Sequence, residues 1–254
     1  MANEWLLENK TALITGGSKG IGLAIVQEFL SLGAEVFFVA RTQSDVLKII
    51  NKNKKSNLHG IIADVSTEEG REKVYHIIKT RAKKLDFLVN NVGTNIRKKS
   101  VEYNSEEYDK IMDTNLKASF VLTKNLYSYL KKSKEGSVVN IASVSGLAST
   151  SSGVIYGMTK AAMIQMTRYL AVEWAEDKIR VNAIAPWYIK TPLVKEVMND
   201  EKRWAKIIES TPMKRAGNPE EIAGLAAFLC MKKASFITGQ CIAADGGLMA
   251  GAFF

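Results

Sequence analysis

The stretch KTALITGGSKGIGLAIVQEFLSLG, residues 10–33, limits this chain more than any other part of it. Residues 10–15 read as a short buried strand, a glycine turn follows at once, and an apolar, helix-like run begins at Leu23. The order is strand, glycine turn, helix. Glycines at 16, 20 and 22 let the backbone pass close to a ligand, and the helix that follows offers free N–H groups and a positive dipole end to a pyrophosphate. A loop built for nucleotide hydrolysis would need Lys-Ser or Lys-Thr after the last glycine. Leu23 and Ala24 stand there instead, and the spacing is T-G-x-x-x-G-x-G rather than G-x-G-x-x-G. A turn that binds nothing is the alternative at this point.

Strand and helix patterns alternate through the rest of the chain. Strands are expected at 35–39, 58–63, 86–90, 136–142, 179–184 and 240–244. Helices are expected at 46–53, 105–132 and 152–176, from a capping box at Ser66 to Glu69, and from Asn218-Pro219-Glu220-Glu221. Seven strands with mostly short connections predict a single α/β domain over 1–254, a doubly wound parallel sheet of the Rossmann type with right-handed crossovers. Residues 192–213 interrupt the alternation with a polar, partly helical insertion, read as a lid over a site or as a plain surface hairpin; with its flanks, 187–215, it is the expected substrate-binding insertion.

Composition narrows the function. With 254 residues and 46% hydrophobic content the chain can bury a full core. No apolar run approaches the roughly 18 residues of a membrane helix, so a cytoplasmic protein with no membrane role is expected. Cys230 and Cys241 lack metal-ligand spacing and only His59 and His76 could join them, so neither a metal site nor a histidine triad is expected. The net charge of +9 is spread over small groups, at 52–55, 83–84, 97–99, 131–134 and 232–233, without interleaved aromatics. That distribution predicts solvated lysine-rich faces rather than a nucleic-acid surface, with an acidic partner or substrate as the remaining reading.

The candidate polar residues fall at strand carboxyl ends or on the helices that follow, the ligand edge of such a sheet. Arg41 ends the second strand, where an arginine suits a 2′-phosphate and an acid would suit a 2′-hydroxyl, and Lys19 could add a second charge. NADP(H) is favoured over NAD(H), unless both residues are plain surface cations. Asp64 either meets an adenine or caps a turn, and Asn90-Asn91-Val92-Gly93 either fixes backbone near a nucleotide or marks a turn. Asn115 sits in a helical pattern, where propensity favours a water-facing side chain over a place in a polar site. Ser143 closes the fifth strand. Tyr156 and Lys160 are spaced to share one helix face, so the ammonium is expected to lower the phenol's pKa from about 10 by about 1–3 and fit it for acid–base work. Alone, the pair is more readily an exposed helical couple, since Tyr-x-x-x-Lys occurs by chance in many helices.

Taken in order, Thr15-Gly16-x-x-x-Gly20-x-Gly22, Asn90-Asn91-x-Gly93, Asn115, Ser143 and Tyr156-x-x-x-Lys160 resemble the short-chain dehydrogenase/reductase family over nearly the whole chain. VIYGMTK, LAVEWAEDKIRVNAIAP and ADGGLMAGAFF are most similar to tropinone-reductase-like members. The resemblance implies an NADPH-dependent oxidoreductase that reduces a small ketone to a secondary alcohol, working as a dimer or tetramer. It implies that Tyr156 exchanges the proton, Lys160 lowers its pKa and binds the nicotinamide ribose, Ser143 holds the carbonyl oxygen, and Asn115 anchors a proton-feeding water chain. It further implies that Gly16, Ser18, Lys19, Gly20, Ile21 and Gly22 meet the pyrophosphate and ribose, Arg41 the 2′-phosphate, and Asp64 and Val65 the adenine. Asn91 and Gly93 would lie at the nearby ribose, and Pro186, Ile189 and Thr191 at the carboxamide. The family's usual Pro-Gly after the sixth strand is Pro186-Trp187 here, so Trp187 either walls a hydrophobic substrate pocket or packs under the insertion. Val92 replaces a common alanine and should tighten its turn slightly. Reduction of 3-oxoacyl groups on an acidic acyl carrier protein is an alternative function, and a cofactor-binding regulator or scaffold a non-enzymatic one.

Overall fold

The computed structural model describes residues 4–53 and 57–251; Lys54 and Lys55 of one basic group and the last three residues of the apolar tail lie outside the described residues. In chain order the elements are β1 (Thr11–Thr15), α1 (Gly20–Ser31), β2 (Glu35–Ala40), α2 (Gln43–Asn53), β3 (Leu58–Ile62), α3 (Glu68–Arg81) and β4 (Phe87–Asn90). They continue with α4 (Ser105–Met112), α5 (Ala118–Ser133), β5 (Gly136–Ile141), α6 (Val154–Glu173), β6 (Ile179–Pro186), α7 (Lys195–Asn199), α8 (Glu201–Ser210), α9 (Pro219–Cys230) and β7 (Cys241–Ala244). Among the described residues the strands form one seven-stranded sheet in the order β3-β2-β1-β4-β5-β6-β7, with all neighbours parallel.

The strands read as unbroken apolar runs because both faces are covered. Ala12 and Ile14 of β1, with Val36 and Phe38 of β2, pack under α1, α2 and α9. Leu13, Phe37 and Val39 turn to the opposite face, against α3, α5 and α6. Between the central strands and the α5 and α6 helices lies a polar seam. Asn90 Nδ2 donates to Thr123 Oγ1 and to Asn140 Oδ1, each at 2.8 Å, and Asn140 Nδ2 donates to Thr167 Oγ1 at 2.9 Å. Asn90 is therefore a buried strut holding α5 and α6 to the sheet, while Asn91 faces the strand ends.

Three local expectations are corrected. The helix expected over 105–132 is broken by a π-helical turn, Asp113–Lys117, centred on Asn115. The α3 cap is Thr67, whose side chain accepts from the Gly70 N–H, rather than Ser66. The reason lies in Asp64, whose Oδ1 accepts from both the Ser66 N–H and its hydroxyl and so removes Ser66 from capping. The insertion is not a plain hairpin either. It forms a 3₁₀ turn, Pro192–Val194, then α7 and α8, and Val194, Val197 and Ile207 build a small apolar cluster of their own on Tyr188.

Because β1 and β4 are neighbours and the chain winds outward from them in both directions, a crevice opens above their carboxyl ends. Asn91 closes its floor. Its side-chain amide donates to the carbonyls of Thr15 at 2.9 Å and Gly16 at 3.3 Å, and its backbone N–H donates to Thr15 Oγ1 at 3.0 Å. Gly16 takes a φ of +68°, a left-handed value that suits glycine. A Cβ on Gly22 would lie 2.2 Å from the Gly16 carbonyl oxygen and 2.5 Å from Asn91 Nδ2, so α1 can start this close to the sheet only without a side chain there. Gly22→Ala is expected to cost about 1–3 kcal/mol, with a lower thermal midpoint and weakened dinucleotide binding measured on the same preparation.

Candidate active site

A cavity of about 550 Å³ runs along the carboxyl ends of the strands. Strand order sets its polarity: Arg41 and Asp64 follow β2 and β3 on one side, and Ser143 follows β5 and Pro186 ends β6 on the other. Gly16, Ser18, Lys19, Gly20, Ile21, Gly22 and Val65 line it with Arg41 and Asp64, and Asn91, Gly93, Ile189 and Thr191 line it with Ser143, Tyr156, Lys160, Pro186 and Trp187. Asn115, like Thr15 and Asn90 of the same motifs, is not among the residues at its wall.

The side nearest β1 to β3 fits a dinucleotide. Lys19, the cap residue of α1, makes no side-chain cap hydrogen bond, which leaves the first-turn N–H groups of that helix facing the glycine turn. Arg41 is 72% exposed and lies 3.6 Å from the Asp64 carboxylate. Burial alone would raise the Asp64 carboxyl, but hydrogen bonds from Ser66 and then the Arg41 charge hold it below its ordinary value. The Asp64 side chain organises its own turn and also faces Arg41 in the cavity.

At the opposite side, Ser143 caps a short 3₁₀ turn, its hydroxyl accepting from the Ser145 N–H at 3.1 Å. Tyr156 and Lys160 leave the same face of α6, as their spacing predicts, but the electrostatics differ from the expectation. Lys160 is 3% exposed; its Nζ donates to the Ile141 carbonyl at 2.8 Å and lies 5.7 Å from the centre of the Tyr156 ring. Burial pushes the lysine down to about 8. The Tyr156 phenol is raised, not lowered, because desolvation outweighs the opposing influence of Ser143 and of the Arg97 charge. Lys160 is not among the groups that move the phenol.

Asn115 corrects the water-facing expectation: it is 0% exposed. Its side chain clasps the loop after β4, accepting from the Thr94 N–H at 2.7 Å and donating to the Thr94 carbonyl at 2.9 Å and to Thr159 Oγ1 at 3.2 Å. Gly93 lies between it and Lys160, since a Cβ on Gly93 would sit 3.7 Å from Asn115 Oδ1 and 3.6 Å from Lys160 Nζ. Trp187 lines the cavity, stacks edge-on against Tyr188 and donates to Thr211 Oγ1 at the end of the insertion. Arg97 was not legible as a site residue. Sequence put it in a basic group, whereas the loop after β4 brings it to the cavity near Tyr156.

A family model described as enoyl-(acyl carrier protein) reductase matches residues 16–249. The chain is 47% identical over 252 residues to a tropinone reductase homolog of Arabidopsis thaliana, covering 98% of this chain and 96% of that protein. The chain belongs to the short-chain dehydrogenase/reductase family. Within it the sequence is tropinone-reductase-like, and a second such homolog of Arabidopsis thaliana, a chloroplastic one, is 43% identical over 253 residues, covering 98% of this chain and 79% of that protein. Among solved structures, the active-site complex of Pseudomonas aeruginosa RhlG with NADP superposes with a TM-score of 0.91 at 33% identity, covering 98% of this chain and 99% of that one. A short-chain dehydrogenase/reductase is an oxidoreductase with a nicotinamide cofactor, and the cradle at Gly16 and Gly22 fits that cofactor.

The buried lysine of this short-chain dehydrogenase/reductase gives a pH signature. With a folded pKa near 8 against 10.5 in the open chain, the full cost of a buried ammonium is present below about pH 8, and stability rises between the two values as the folded state releases its proton first. Lys160→Met is expected to be the more stable form at pH 7, by up to about 3 kcal/mol, with the advantage shrinking towards pH 10.5. Thermal melts of both proteins across that range check it.

Proposed function

We propose that this protein is an NADPH-dependent reductase that turns a small ketone into a secondary alcohol. The observation that carries the reading is one continuous cavity joining Arg41 and Lys19 to Ser143 and Tyr156. Arg41 and Lys19 are placed to pair with a 2′-phosphate, with Arg41 leaving Asp64 to do so, and the Gly16–Gly22 turn with the α1 N-terminus takes the pyrophosphate. Asp64 and Val65 border the adenine, Asn91 and Gly93 the ribose, and Pro186, Ile189 and Thr191 orient the carboxamide. NADPH, when bound, supplies the hydride.

The chain's own residues manage the proton and the charge. A raised pKa keeps the Tyr156 phenol protonated near neutrality, which is the form a general acid needs for reduction. Ser143 holds the carbonyl oxygen and stabilises the negative charge that grows there, an interaction strongest in the transition state. Lys160 binds the nicotinamide ribose, and Asn115 holds the Thr94 loop and the polar space beside Gly93 through which Tyr156 is reprotonated. The presence of all four residues argues against a mere regulator or scaffold.

A substrate carried on an acidic acyl carrier protein is the second reading, favoured by the net charge of +9. Two of the small basic groups have local partners, however, since Lys131 pairs with Asp177 and Lys232 and Lys233 with Glu4. The same pairing weakens any case for nucleic acid as a partner. Among the described residues no helix is long and apolar enough to cross a membrane. A cytoplasmic location and a homo-oligomer complete the proposal; exposed Phe120, Tyr169 and Val172 on α5 and α6 suit self-association.

Tyr156→Phe is expected to lower the turnover of NADPH with ketones by about 10²–10⁴-fold while NADPH binding, followed by fluorescence, stays intact; retained turnover would sink the assignment. Arg41→Asp is expected to shift the ratio of kcat/KM values toward NADH by about tenfold or more, near the low end for a charge-assisted contact because Arg41 is exposed. An unchanged ratio removes Arg41 from cofactor selection.

A further inference from the structure

The catalytic end of the cavity holds a cation that the reduction of a simple ketone does not use. Arg97 is half-buried and lines the cavity with Ser143 and Tyr156. Its Nε is shielded from solvent and has no hydrogen-bond partner. Among the described residues Arg97 enters no ion pair, although the next residue, Lys98, is paired with Glu107. Glu196 of α7 also lines the cavity without coming within ion-pair distance of it. Asn95, two residues earlier and at the same cavity, has a buried Oδ1 that likewise lacks a partner; it is an acceptor and wants a donor, whereas the Arg97 Nε–H wants an acceptor.

The loop that carries Arg97 is braced rather than loose. Asn115 clasps Thr94 on both sides, Asn95 Nδ2 donates to the Ser152 carbonyl, and the Tyr103 hydroxyl donates to the Ile96 carbonyl. A guanidinium carried on a braced loop, with a shielded Nε–H that has no acceptor, is an unfavourable arrangement unless something else supplies the acceptor. Its planar fork matches a carboxylate. It is also close enough to Tyr156 for its charge to favour the phenolate, which puts an anion bound there beside the reacting carbonyl.

We propose that Arg97 is the anchor for a carboxylate on the substrate, so that the preferred substrates of this site are oxo acids rather than neutral ketones. The inference rests on the ketone-reductase reading above. In the step, the carbonyl carbon accepts a hydride from NADPH and the carbonyl oxygen takes the Tyr156 proton; the ketone becomes an alcohol, NADPH becomes NADP⁺, and the carboxylate is unchanged. Arg97 binds and orients the substrate, and its pairing with the carboxylate also offsets its influence on the phenol.

The test compares 2-, 3- and 4-oxocyclohexanecarboxylate with their methyl esters. The wild-type protein is expected to favour at least one acid over its ester by about 100-fold in kcat/KM, within the range of one desolvated charge-assisted pair. Arg97→Met is expected to reduce that ratio to within about threefold, and Arg97→Lys to retain part of it. Esters reduced as well as acids throughout, or equal losses for acid and ester in Arg97→Met, would overturn the proposal. Calorimetric binding of cyclohexanecarboxylate to the wild-type and Arg97→Met proteins separates this inference from the parent reading. Binding that needs Arg97 supports the anchor even where no ketone is turned over, and binding by neither or equally by both refutes it.

Discussion

The close approach of α1 to the end of β1 is the constraint on which the cavity depends. Without a side chain at Gly22, the first turn of α1 settles against the Gly16 carbonyl and the Asn91 amide. That contact joins the ends of β1 and β4, the point where the winding of the sheet changes direction. The crevice, the free N–H groups of α1 and the reach of Arg41 from β2 all follow from it. A larger residue would separate α1 from the sheet and disperse these groups together.

Burial governs the other end. The same dry interior that lets Asn90, Asn140 and Thr167 form a seam beneath the site also withdraws solvent from Tyr156 and Lys160. Two groups that a helix places side by side are thus shifted in the directions that favour their neutral forms. The protein keeps a protonated phenol near neutrality and a lysine whose ammonium is held by one backbone carbonyl. Ser143 and Arg97 oppose the shift of the phenol, so the proton that Tyr156 holds is balanced by groups drawn from two separate loops.

The insertion borders the cavity through Leu193, Val194 and Glu196. Its helices are short, and α7 and α8 hold together by packing Val194, Val197 and Ile207 on Tyr188. Arg203 of α8 reaches across to the carbonyl and hydroxyl of Ser151, just before α6. Trp187 is tied to Thr211 at the far end of the same segment. The insertion is therefore fastened through Arg203 to the loop between Ser143 and Tyr156 and through Thr211 to Trp187 just after β6, and Leu193 and Glu196 line the cavity.

Much of this was legible in the sequence. Alternating apolar runs and glycine turns determined the parallel sheet, its ligand edge and the face shared by Tyr156 and Lys160, because those features depend on local period and on steric freedom of the backbone. Sequence also placed Arg41, Asn91 and Ser143 at strand ends, where short connections leave little choice. Tertiary structure alone decided that Asn115 is buried in a π-helical turn, that Thr67 and not Ser66 caps α3, that the Tyr156 phenol is raised, and that Arg97 leaves its basic group for the cavity. Each of these turns on which distant side chain arrives as a partner and how much water is excluded. Neither is written in the spacing of residues along the chain.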